Sequence, residues 1–79
     1  MEVFDANDSD RFFTRQSVLT AFTCWDDLPY IPNFYGSGII VPTKDMTFSV
    51  ALFVTAGSFY VGTISYSSKT TSWRTVQYS

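Results

Sequence analysis

Few residues in this chain have side chains suited to chemistry. Cys24 is the only cysteine, and there is no histidine. Histidine is the commonest base near neutral pH, so a nucleophilic Cys24 would need another activator. Its neighbours in AFTCWDD include Asp26 and Asp27. Carboxylates raise a thiol's pKa and so suppress the thiolate. Cys24 is therefore read as a buried or half-buried structural thiol. Asp26 and Asp27 are adjacent, so they face opposite ways on a strand and diverge by about 100° on a helix. Neither arrangement flanks a single bond, as paired-carboxylate chemistry requires. DANDSD, residues 5–10, partly matches a calcium loop, but its sixth and twelfth positions hold Asp10 and Gln16. Glycine and glutamate are needed there. A Cys/His zinc site lacks ligands. YGSG, residues 35–38, is not followed by the GK[ST] of a phosphate loop. The expectation is a non-enzyme with no catalytic residue, no cofactor and no metal.

What remains is aromatic. Tyr30, Tyr35, Tyr60, Tyr66, Trp73 and Tyr78 combine flat apolar faces with polar handles. Such groups suit protein interfaces and carbohydrate platforms, so they are the candidate binding residues. Packing in a core or an oligomer interface competes for each of them.

The elements that must position these side chains belong to a chain of 79 residues, enough for one small domain. Domains of this size bury a modest share of their surface and are marginal alone. A lone cysteine rules out an intrachain disulfide, which leaves oligomerisation as the usual remedy. Seven acidic and five basic residues give a net charge of −2, with the basic ones scattered. That argues against nucleic-acid binding. Aromatics at 19% and hydrophobics at 46% argue against disorder. Residues 46–68 carry no charge, but Ser, Thr and Gly interrupt them throughout. Their densest apolar piece, FSVALFVTA, is too short for a membrane-spanning helix, so no membrane span is expected.

The acidic residues 1–10 read as a flexible segment, and residues 11–79 as one β-rich domain. Ser9 or Asp10 is placed to cap a helix over RFFTRQSVLTAF. The apolar residues of that stretch fit neither a helical nor a strand period, so it is either a short helix or an irregular, extended piece. DLPYIPNFYGSG, residues 27–38, is rich in Pro and Gly and reads as a connector lying over a core. Tyr30, Ile31, Phe34 and Tyr35 are its anchors. Beyond Gly38 the pattern is firmer. GIIVP, TFSVALFVT, SFYVGTISY and SWRTVQY are strands separated by TKDM, AGS and SSKTT. Short connections predict an antiparallel meander. The fold class is mainly β: a small antiparallel meander or sandwich with the N-terminal helical or irregular segment packed on it. Both faces of its middle strands are apolar. One face can hold the core, and the other needs a cover.

YGSGIIVP and ALFVTAGSFYVGTISYSSKTTSWRTV resemble the C-terminal modules of bacteriophage tail-fibre and baseplate receptor-binding proteins. The matching pieces are Gly36, Gly38, Ala51–Thr55, Gly57, Tyr60–Val61, the turn at 67–72, and Trp73–Arg74. The resemblance covers about residues 34–76. It implies a virion attachment module, a homotrimer, and contact with a host-surface saccharide or protein. No long shaft or coiled-coil trimeriser is evident in residues 1–33. The competing expectation is a small phage-encoded inhibitor or host-takeover protein, acting in the host cytoplasm by covering one host protein.

Overall fold

The computed structural model describes residues 3–76. It contains β1 (Val3–Asp5), α1 (Ser9–Phe12), β2 (Thr20–Cys24), β3 (Gly36–Pro42), β4 (Phe48–Val54), β5 (Phe59–Ser65) and β6 (Thr70–Val76). The strands form one six-stranded sheet in sequence order. β1 pairs parallel with β2, and every other pairing is antiparallel. The protein is thus mainly β, and β3–β6 form the meander that the turn spacing predicts.

The N-terminal third combines a short helix with an extended piece, the two alternatives that its sequence left open. Residues 1–10, expected to be flexible, include β1, and Phe4 and Ala6 are buried. The helix is only four residues long and is capped by Asp8, whose side chain accepts from the Arg11 N–H. The remainder of RFFTRQSVLTAF is not helical, because Thr20, Phe22 and Cys24 alternate inward as a strand. Strand pairing on both sides of β2 outweighs the weak helical tendency of this stretch. A parallel pair needs a long crossover, which residues 6–19 supply by carrying α1 across the sheet.

Burial alternates along β2 and β4, and the register carries that alternation across the sheet. Phe4, Phe22, Gly38, Phe53 and Tyr60 lie in one inward row. Phe12, Leu28, Tyr30 and Ile31 close over this face to complete the core. Phe22 and Phe53 stack with ring centroids 5.9 Å apart and planes 2° from parallel. Gly38 lies between them in register, and a Cβ there would sit 2.3 Å from the Leu52 carbonyl oxygen and 2.6 Å from the Phe22 ring. Glycine is what allows those rings to lie against the strand.

The β3–β4 turn is fastened by Asp45. Its Oδ1 accepts the Thr47 hydroxyl at 2.6 Å and the Thr47 N–H at 2.8 Å. The hydroxyl bond first, and the N–H bond second, hold the Asp45 carboxyl below its usual pKa. A depressed folded-state pKa contributes stability above the ordinary carboxylate pKa, and that contribution is lost as pH falls through the depressed value. An NMR titration of the Asp45 carboxyl carbon is expected to show a low midpoint that rises in Thr47→Val. Equal midpoints in the two proteins would remove the hydroxyl from this account.

Candidate functional site

Most of the aromatics singled out above face inward. Tyr30, Tyr60, Tyr66 and Trp73 are partly buried against the core. Their polar handles are largely engaged within the chain. The Tyr30 hydroxyl donates to the Ala6 carbonyl, and Tyr66 donates to the Ser49 hydroxyl at 2.9 Å. The Trp73 indole N–H donates to the Tyr30 carbonyl at 2.9 Å, which also accepts the Thr71 hydroxyl at 2.7 Å. Burial, with smaller contributions from Cys24, Asp5 and Asp8, pushes the Tyr30 phenol above its usual pKa. Tyr78 lies outside the described residues. Among the described candidates, Tyr35 alone stands well exposed, at 58%.

Tyr35 belongs to a different group. It packs edge-on against Trp25, with centroids 5.7 Å apart and planes at 90°. Trp25 is 61% exposed and Phe34 is 63% exposed. Phe34 was expected to pack on the sheet; instead it and Tyr35 project from the connector just before β3 begins at Gly36. The Trp25 indole N–H donates to the Thr23 hydroxyl at 3.1 Å. The ring is thus held at its N–H by Thr23 and at its side by Tyr35.

Shallow depressions flank that ring. One, of about 610 Å³, is lined by Trp25, Asp26, Asp27, Pro32, Asn33 and Phe34. The other, of about 390 Å³, lies between Trp25, Tyr35, Gly36, Thr55 and Ala56. Both fall within the size range of small-molecule clefts, about 300–1,000 Å³. Asp26 is positioned by the Asn7 amide, which donates to its Oδ2 at 2.7 Å. An ionised carboxylate with one such bond retains acceptor capacity. Trp25 and Phe34 lie outside the expected set because neither carries a hydroxyl or falls in a strand recognisable from sequence. WDDLPYIPNFY has no strand alternation to sort its outward Trp25 and Phe34 from its inward Tyr30 and Ile31.

The chemically suggestive groups have structural roles. Asp5 accepts from the Asn7 N–H at 2.9 Å, and Asp8 caps α1. Among the described residues, no group of three or more His, Cys, Asp or Glu side chains is arranged to hold a metal ion. Cys24 is buried, and its thiol donates to the Asp26 carbonyl at 3.1 Å. Desolvation raises its pKa; the bond to Asp26 opposes this, while the charges of Asp26, Asp5 and Asp27 reinforce it. The thiol is therefore held protonated and away from reagents.

No known protein family, curated protein or solved structure matches the chain.

The second surface is the sheet face turned away from the core. Val3, Ala21, Ile39, Leu52, Val61 and Arg74 form one row across all six strands. Val3, Val50 and Val54 are exposed, and Ile39, Leu52 and Val61 are half-buried by their neighbours in the sheet. The cover of α1 and the connector lies on the opposite face. Among the described residues, no helix is long and apolar enough to cross a membrane.

Proposed function

We infer that the chain is a non-catalytic attachment module of the phage-tail kind, which holds a host-surface saccharide at the Trp25 end of its sheet. The observation that carries this reading is the fixed, outward Trp25 ring with Tyr35 against it and Asp26, Asp27 and Asn33 beside it. A flat aromatic face takes the apolar side of a sugar ring. Carboxylate and amide oxygens accept its hydroxyl protons. Two carboxylates repel anions, which restricts the ligand to neutral or amine-bearing sugars. Placement on a virion tail follows the resemblance of residues 34–76.

Trp25→Ala is expected to weaken binding of the best neutral or amino oligosaccharide at least 10-fold, measured by calorimetric titration. Stability should move by no more than about 0.5 kcal/mol, as for an exposed site. Absence of binding across a neutral and amino-sugar panel, or unchanged affinity in Trp25→Ala, would overturn the reading.

A second reading, a host-takeover protein that covers one host protein in the cytoplasm, is favoured by β6. Among the described residues, β6 pairs only with β5 and leaves a seven-residue edge open. An open edge accepts a partner strand by main-chain hydrogen bonding. Tight binding of one host protein with no saccharide affinity would select this reading.

A further inference from the structure

We propose that the outer sheet face is the interface of a homodimer, with two copies stacked face to face about a two-fold axis running along the strands. The pairing does not depend on the ligand reading. Such an axis lies between β3 and β4, the middle of the strand order. It sets β3 over β4, β2 over β5 and β1 over β6 of the second copy, row for row.

The face is self-complementary under that operation. Ala21, Thr23 and Ser37 on its β2–β3 side are small, and with Ile39, Leu52, Val54 and Phe59 they line a trough of about 560 Å³. Its β4–β5 side carries the larger Leu52, Val54, Phe59 and Val61. The two-fold places Ala21 over Val61, Thr23 over Phe59 and Ser37 over Val54, so small meets large at these positions, while Ile39 meets Leu52 and Val41 meets Val50 beside the axis. The outward positions of the six strands carry two charges, Asp5 on β1 and Arg74 on β6. The same operation brings these opposite charges to a shared edge, one step of about 7 Å apart along the strand and within reach of an arginine. The asymmetric relief and the single opposite charges match an inverted copy of this chain, whereas a lipid surface has no reason to match them. A trimer, which the resemblance implies, contains no two-fold axis to set one flat face against an identical one.

The size is sufficient. Four strands of seven residues, one of five and one of three, about 4.8 Å apart, project to about 570 Å². Side-chain relief raises the accessible area toward the ~800 Å² per partner of a stable interface. Two sheets packed this way are about 10 Å apart, as in a sandwich.

The test is a solution mass by sedimentation equilibrium from micromolar to millimolar chain, with a cross-linking experiment as an independent readout. A dimer is expected, and Val54→Lys should raise its Kd about 100-fold by burying an unpaired charge. Chains carrying Ala21→Cys are then mixed with chains carrying Val61→Cys and treated with a short bis-maleimide. Mixed products should dominate, because Ala21 faces Val61 across the axis while identical positions lie about 16 Å apart. Cys24 is 1% exposed and stays unmodified. A monomer at every concentration, a trimer, or a dimer that links Ala21 to Ala21 as readily as to Val61 would overturn the proposal. Because the cross-link is read on folded chains, it holds even if Val54→Lys is unstable.

Discussion

Phe12→Ala should be among the most destabilising single substitutions in the protein at 25 °C. Phe12 is fully buried, and its ring meets those of Phe4, Phe13, Phe22 and Tyr30 at centroid distances of 6.5, 5.1, 5.4 and 5.0 Å. It joins the cover to the sheet, since Phe4 and Phe22 belong to β1 and β2 and Tyr30 to the connector. Truncating a buried phenylalanine costs about 3–5 kcal/mol through lost transfer energy and the cavity left behind. A domain of this size holds roughly 4–12 kcal/mol in total, so the loss is a large part of it. Denaturant unfolding followed by circular dichroism measures the effect. Phe12→Leu, which keeps most of the volume, should cost less than half as much. A loss below about 1 kcal/mol in Phe12→Ala would mean that α1 does not seal the core, since a cavity there costs more than that.

The second large effect is expected at Trp73. Its ring lies over Gly62, its register partner, where an added Cβ would be 2.7 Å from the indole. The ring also contacts Phe53, with centroids 6.2 Å apart, and its N–H holds the Tyr30 carbonyl. Trp73→Ala uncovers the glycine strand and removes one of the two hydrogen bonds to the Tyr30 carbonyl of the connector. The expected loss is about 3 kcal/mol, toward the lower end for aromatic truncations because the ring is only partly buried. Trp73→Phe keeps an aromatic ring but removes the donor. The Tyr30 carbonyl retains Thr71, so this variant should lose only about 1 kcal/mol. Equal losses in the two variants would assign the whole effect to the hydrogen bond. A loss below about 1 kcal/mol in Trp73→Ala would place the ring outside the core.

Both predictions concern contacts between segments far apart in the chain, and these were the hardest to read from sequence. The β4–β5 hairpin was legible because Phe48, Val50, Leu52 and Val54 alternate with Ser49, Ala51 and Phe53, and a short turn follows. β1 was not, because three residues carry too little pattern, and its partner β2 is reached only after residues 6–19. β2 itself was obscured by Val18 and Leu19, exposed apolar residues that blur the alternation of Thr20, Phe22 and Cys24. The aromatic end of the sheet was missed for a related reason. Trp25 precedes the Pro-rich connector and Phe34 and Tyr35 lie near its end, and only the pairing of β2 with β3 brings them together.

The sequence by itself determined a mainly β chain with a four-strand meander and apolar side chains on both faces of its middle strands. Those properties follow from local alternation and turn chemistry, which act over a few residues. Tertiary structure decided which face became the core. Phe53, Ala51 and Ser49 turned inward because Phe12, Tyr30 and Ile31 close over that side, leaving Val50 and Val54 facing out. No local rule separates two apolar faces of one strand; the choice is made by which face the rest of the chain can reach and cover.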